Sequence, residues 1–207
     1  MATATSSRRN LLGLAGLLLA AVLAVAGCGS GSSGSSASGS GGAVTRSAGA
    51  FAWLSPAAPP AGWALARLPS GRAALAYPPG WRSIHADPGT VSAALLGPHG
   101  RIRGYLNATP RQGEETLSDW AHFRTAHNRD EGDLAVVTDA AARGLRFRTG
   151  SGSCVMDHYG TVSAHYREIA CLVRGSHAST VVVGAALPGD WARLAPQIER
   201  AISSFST

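Results

Sequence analysis

Gly144–Leu187 reads GLRFRTGSGSCVMDHYGTVSAHYREIACLVRGSHASTVVVGAAL. Side chains on a strand point alternately to the two faces of a sheet. Gly144–Thr149 alternates cleanly, with Leu145 and Phe147 one way and Arg146 and Arg148 the other. That strand is expected to resume as Cys154–Tyr159 after the Gly/Ser segment Gly150–Ser153. Thr161–Val173 and Ser179–Leu187 complete the set, turning at Gly160 and near Gly175. Leu134–Thr138 precedes them. Strands joined by turns this short must run antiparallel, because a parallel pair needs a long crossover.

Upstream, the pattern repeats in shorter pieces. Arg72–Tyr77 is a short strand stopped by Pro78-Pro79-Gly80, and Trp81–His85 is a second, stopped at Asp87-Pro88-Gly89. Thr90–Leu96 and Arg101–Ala108 flank the hairpin loop Gly97–Gly100. In the latter, Ile102 and Leu106 share one face, and Arg101, Arg103 and Tyr105 the other. A helix then opens at Thr116-Leu117-Ser118-Asp119, close to a capping box. Glu114 and Glu115 favour its N-terminal dipole. Leu117, Trp120, Ala121 and either Phe123 or Arg124 form its buried stripe, and it should fade near Asp130. A last helix starts at Asp190 with the stripe Trp191, Leu194, Ile198, Ile202 and Phe205. Pro196 removes a backbone donor, so this helix is expected to restart there. Strands, helix, strands, helix give an α+β fold: a mainly antiparallel sheet covered by two amphipathic helices.

The N-terminus speaks of destination. Arg8 and Arg9 precede the apolar run Leu11–Ala26, about 16 residues, short of the ~20 that span a bilayer. The run closes on Val25-Ala26-Gly27-Cys28, which resembles a bacterial lipobox. That resemblance implies cleavage between Gly27 and Cys28 and lipidation of Cys28. The alternatives are an uncleaved anchor and an ordinary secretory signal. Ser7-Arg8-Arg9-Asn10-Leu11-Leu12 also resembles a twin-arginine signal, although two arginines equally supply an ordinary positive n-region. Residues 1–27 are thus a signal peptide. Residues 28–61 are a linker, Gly/Ser-rich to Gly42 and Ala/Pro-rich to Pro60, with Phe51 and Trp53 its only aromatic side chains. Residues 62–207 are the folded domain. The expected place is the extracytoplasmic face of the cell membrane.

Composition agrees with that compartment. The 207 residues carry a formal charge of +6, and all 18 basic residues are arginine. No nucleic-acid partner is expected in that compartment. Cys154 and Cys171, outside the cytoplasm, read as a disulfide, closing a loop worth about 3 kcal/mol in the chain-entropy model.

The segment Tyr77-Pro78-Pro79-Gly80-Trp81 between two early strands, a mid-chain helix carrying Trp120, a strand meander and a C-terminal helix together resemble the PsbP-like α/β/α sandwich. In particular they look like the LpqN-type lipoproteins of actinobacteria, over roughly Gly62–Thr207. It implies an accessory or binding protein without catalysis, and it transfers no catalytic residues.

The remaining chemistry is thin. Cys154-x3-His158 and Cys171-x5-His177 imitate zinc spacing. On a strand, however, four residues span about 13 Å, and oxidation would consume both thiolates. Gly150-Ser151-Gly152-Ser153 lacks the elbow of a serine hydrolase. His85 and Asp87 could orient one another, but they lie in a turn that favours Asp anyway. Arg101 and Arg103, with Arg146 and Arg148, would make an anion-binding patch if their strands were neighbours. No metal site and no cofactor are expected. The expected function is a lipid-anchored binding or accessory module of the cell envelope, partnered by the membrane through its lipid and by another envelope protein. The alternatives are a carrier of a small apolar ligand between sheet and helix, and a hydrolase with an unrecognised site.

Overall fold

The computed structural model describes residues 49–207. Along them run β1 (Ala64–Arg67), β2 (Ala74–Tyr77), β3 (Arg82–Ile84), β4 (Val91–Leu96), β5 (Ile102–Pro110), α1 (Trp120–Asp130), β6 (Leu134–Arg146), β7 (Ser151–Gly160), β8 (His165–Arg174), β9 (Ser179–Ala186) and α2 (Pro188–Ser204). β3 to β9 form one seven-stranded sheet in the order β3-β4-β5-β9-β8-β7-β6, antiparallel throughout. β1 and β2 pair as a separate hairpin. The α+β expectation holds.

One helix covers each face. Leu194, Ile198 and Ile202 of α2, and Phe205 just after it, bury their stripe with Leu75 of β2 against Leu106, Ile169, Cys171 and Val182 of the sheet. Trp120 of α1 packs on Val155, Ala170, Leu172, Val181 and Val183 of the other face. Because both faces are buried, the central strands read as nearly continuous apolar runs. The same fact corrects the reading of β5. Tyr105, expected on a polar face, packs in the layer beneath α1.

Close approach sets the α2 layer. A Cβ on Gly184 would lie 2.4 Å from Cγ2 of Ile198, and one on Gly104 would lie 2.9 Å from Cδ1 of Leu194. Glycine at these two positions lets the helix sit directly on the backbone of the sheet. Trp81, closing the Tyr77–Trp81 segment, donates its indole N–H to Gln197 of α2 at 3.0 Å.

Several expectations are corrected. Leu134–Thr138 and Gly144–Thr149 are not separate strands. β6 runs through both, absorbing three register shifts against β7. Nor does Gly144–Thr149 resume as Cys154–Tyr159: the chain reverses at Phe147–Gly150, where the Phe147 N–H donates to the Gly150 carbonyl at 2.9 Å. The Gly/Ser segment thus opens the antiparallel partner strand. α1 starts at Trp120 rather than Thr116, although the Thr116 hydroxyl does accept the Asp119 N–H at 3.2 Å. Glu115 does not cap the helix; its carboxylate accepts the N–H groups of Gln112 and Gly113. α2 does not restart at Pro196 but begins at Pro188 and runs through it. The four fully buried stripe residues offset the donor lost there.

The linker boundary moves as well. Phe51, expected in the linker, is 3% exposed within the α2-side core. Trp53 and Leu54 pack against that core. The Ala57 N–H donates to the Ser203 carbonyl. The folded unit therefore takes in residues 51–61 ahead of Gly62. β1 was also unforeseen.

Candidate functional site

A charged cluster lies beneath α1. Strand alternation puts Asp157 and Tyr159 of β7 and Glu168 of β8 on the α1 face, with Asp157 directly opposite Glu168. Arg124, one turn beyond Trp120, comes down onto them. Its Nε and Nη2 donate to Oε1 and Oε2 of Glu168 at 2.7 and 2.9 Å, a bidentate pair. The Tyr159 hydroxyl donates to Oε2 of Glu168 at 3.2 Å. The Glu168 side chain is fully buried, so this pair forfeits its hydration and must be satisfied from within.

Electrostatics follow from that burial. Desolvation opposes the Arg124 charge, but Glu168 more than offsets it, and the guanidinium is held charged above its ordinary range. Burial, reinforced by the Glu168 charge, pushes the Tyr159 and Tyr105 phenols above their ordinary value, so both remain neutral donors. Asp157 has no hydrogen-bond partner for either oxygen. Burial first, then the facing Glu168 carboxylate, pushes it up to about 8. Asp157 is therefore protonated at neutral pH beside the Arg124–Glu168 pair.

Open clefts flank the cluster. One of about 310 Å³ is lined by Ile84, Ser92, Ile102, Tyr105, Tyr159 and Tyr166. Tyr159 and Tyr166, their rings 6.0 Å apart, also wall a second cleft of about 410 Å³ with Asp139, His158, His165 and Arg167. There Asp139 Oδ1 meets His158 Nδ1 at 2.9 Å, and Arg167 stands 3.5 Å from the same carboxylate. The first cleft offers phenol and serine hydroxyls on an apolar floor. That chemistry suits binding of a partly apolar molecule with a few polar groups.

Cluster and clefts went unread in the sequence, yet part of the signal was present. Arg124 occupies a position of the α1 stripe, and Glu168 shares parity with Ala170 and Leu172. A charge in each of two buried registers calls for a partner.

The four arginines singled out from sequence do not converge. β5 and β6 are separated by β9, β8 and β7, about 19 Å at ordinary strand spacing. Arg103 is bound by Asp190, its Nε donating to Oδ2 at 2.8 Å. Arg148 lies in the turn after β6 and donates to the Ser204 carbonyl. The joint patch of Arg101, Arg103, Arg146 and Arg148 is thus replaced by separate sites. Cys154 and Cys171 are directly paired across β7 and β8 and joined as a disulfide. Both thiolates of the zinc-like spacing are thereby consumed. Ser153 of the Gly/Ser segment donates to the Leu117 carbonyl. The Asp87 carbonyl accepts from the N–H and hydroxyl of Thr90, as a turn requires. Gly27 and Cys28 lie outside the described residues.

No protein-family model and no curated protein matches the chain. Among solved structures, cyanobacterial PsbP (CyanoP) of Synechocystis superposes on 70% of this chain and 92% of its own, with a TM-score of 0.54 and 12% identity. LpqN of Mycobacterium tuberculosis, involved in cell envelope biogenesis, covers 65% of this chain and 82% of its own at a TM-score of 0.36 and 13% identity. A Pseudomonas aeruginosa protein of unknown function covers 69% and 94% at a TM-score of 0.40 and 11% identity. At 12% identity the likeness to CyanoP is one of fold, and the chain has a PsbP-like α+β sandwich.

Proposed function

We propose that this chain is a lipoprotein of the cell envelope, held by lipid on Cys28 at the extracytoplasmic face, that serves as a binding or accessory module rather than a catalyst. The observation that carries the reading is the Cys154–Cys171 disulfide between the neighbouring strands β7 and β8. Such bonds persist in oxidising compartments, which is where a signal ending in Val25-Ala26-Gly27-Cys28 sends a chain. The clefts support the binding role. The Asp139–His158 pair is half of a catalytic relay, but among the described residues no serine, threonine or cysteine hydrogen-bonds that ring.

The carrier alternative has one specific support. The tyrosine-lined cleft, about 310 Å³, reaches the roughly 300 Å³ at which small-molecule sites begin. Close contact at Gly184 and Gly104 leaves no room for a ligand beneath the middle of α2.

The anchor is tested by Cys28→Ala in a host with a lipoprotein-processing pathway. The variant should leave the membrane fraction or remain unprocessed, without attached lipid. Normal cleavage and unchanged membrane association of the variant would contradict the lipid anchor.

A further inference from the structure

One end of the sheet gathers exposed residues that neither core layer uses. Leu134, first in β6, and His165, first in β8, both stand opposite Gly160, the last residue of β7. The turn that links β7 to β8, closed by the Thr161 N–H to the Ala164 carbonyl, carries Val162. At the same end β9 finishes at Ala186, opposite Gly104 of β5, and β4 finishes at Leu96, opposite Ile102. Val162 is 100% exposed, Leu134 62% and Leu96 37%. Three of the five large apolar side chains left exposed among the described residues thus stand on one edge. From β6 to β4 that edge is about 24 Å wide.

Cations stand among them. Arg101, Arg103, Ser163 and His165 line an open cleft of about 540 Å³ together with the first turn of α2. Arg101 is exposed and makes no ion pair among the described residues. The carboxylates beside this edge are Asp190, already bound by Arg103 and Arg193, Asp133, which burial first and then Glu131 and Glu168 hold above the ordinary carboxylate range, Glu131, which stands 3.2 Å from His127, and Asp130, exposed at the end of α1. An apolar row fringed by an unpaired guanidinium is complementary to a bilayer surface that presents phosphate over hydrocarbon.

We propose that this end of the domain lies on an anionic phospholipid surface, with Val162 and Leu134 entering the headgroup–acyl boundary and Arg101 meeting lipid phosphate. The inference extends the lipid-anchor reading, since a tethered domain faces its membrane at an effective concentration on the order of millimolar and needs only weak contacts. Geometry permits it. The chain joins the domain beside Ser203, at the C-terminal end of α2, so the tether must cover the length of α2, about 25 Å. About 23 residues separate Cys28 from Phe51 and reach at most about 80 Å.

The test uses residues 49–207, which hold both helices, all of the sheet and the disulfide. Flotation is measured with vesicles of phosphatidylcholine alone and with one-third phosphatidylglycerol. At millimolar accessible lipid, which matches the tethered concentration, the domain should float with the anionic vesicles. Val162→Asp and Arg101→Glu should each weaken binding about fivefold or more without moving the thermal midpoint. Leu65→Asp, exposed on the separate β1–β2 hairpin, should leave binding unchanged. No flotation, equal loss with Leu65→Asp, or full displacement by millimolar inorganic phosphate would each overturn the proposal. Because this domain lacks Cys28, such a failure leaves the anchor untouched, and failure of the anchor leaves this result standing.

Discussion

Glu168 has no access to water, and among the described residues it is met only by Arg124 and the Tyr159 hydroxyl. Removing one partner of a buried pair strands the other. Glu168→Leu alone is expected to cost about 3–5 kcal/mol by urea denaturation, and Arg124→Met a similar amount, whereas the double replacement should cost less than either. Equal additivity would show that the two are not coupled. Asp157 makes a prediction of opposite sign to the usual carboxylate. Burial and Glu168 raise it to about 8 in the folded state, against about 4 unfolded. Across that window the folded state holds a proton that the unfolded state releases, so stability falls as pH rises. Its neighbours in this titration are Glu168, Arg124, Asp139 and Asp133. Asp157→Asn should flatten the decline and be the more stable protein at pH 8. A decline as steep as wild type would assign the pH dependence elsewhere.

Helix α2 is placed by glycines in the sheet. Gly184→Ala would drive a methyl into Ile198, and overpacking of this kind costs about 1–3 kcal/mol. Paired with Ile198→Ala, which vacates that volume, the double variant should be less destabilised than the sum of the singles. Thermal unfolding of all four proteins checks this, and strict additivity would mean that the contact does not set the helix position. The same scale shows what the sequence could and could not reveal. The α2 stripe and the hairpin around Gly97–Gly100 were legible because one residue period dominated each. β6 was not, because its register shifts against β7 break the alternation that marks a strand. Phe147 alternated correctly with Arg146 and Arg148 and still lay in the turn. Alternation reports which face a side chain takes but not where the chain reverses.

For the whole molecule, covalent and tertiary links converge on one sheet. The cystine joins the neighbouring strands β7 and β8, and the segment from Phe51 closes the α2 side. That second closure was illegible beforehand. Phe51 and Trp53 sit in an Ala/Pro-rich tract without periodicity, and only the finished core offers them a place. The fold class was legible because short turns force antiparallel pairing. The site was not, because the partners Arg124, Tyr159 and Glu168 are brought together by tertiary structure alone. The measurement that bears most directly on the envelope reading is the intact mass of the protein purified from its native membranes. The expected mass lacks residues 1–27, carries lipid on Cys28, and is two hydrogens short for the Cys154–Cys171 bond. A full-length N-terminus with free thiols would contradict both the anchor and the compartment.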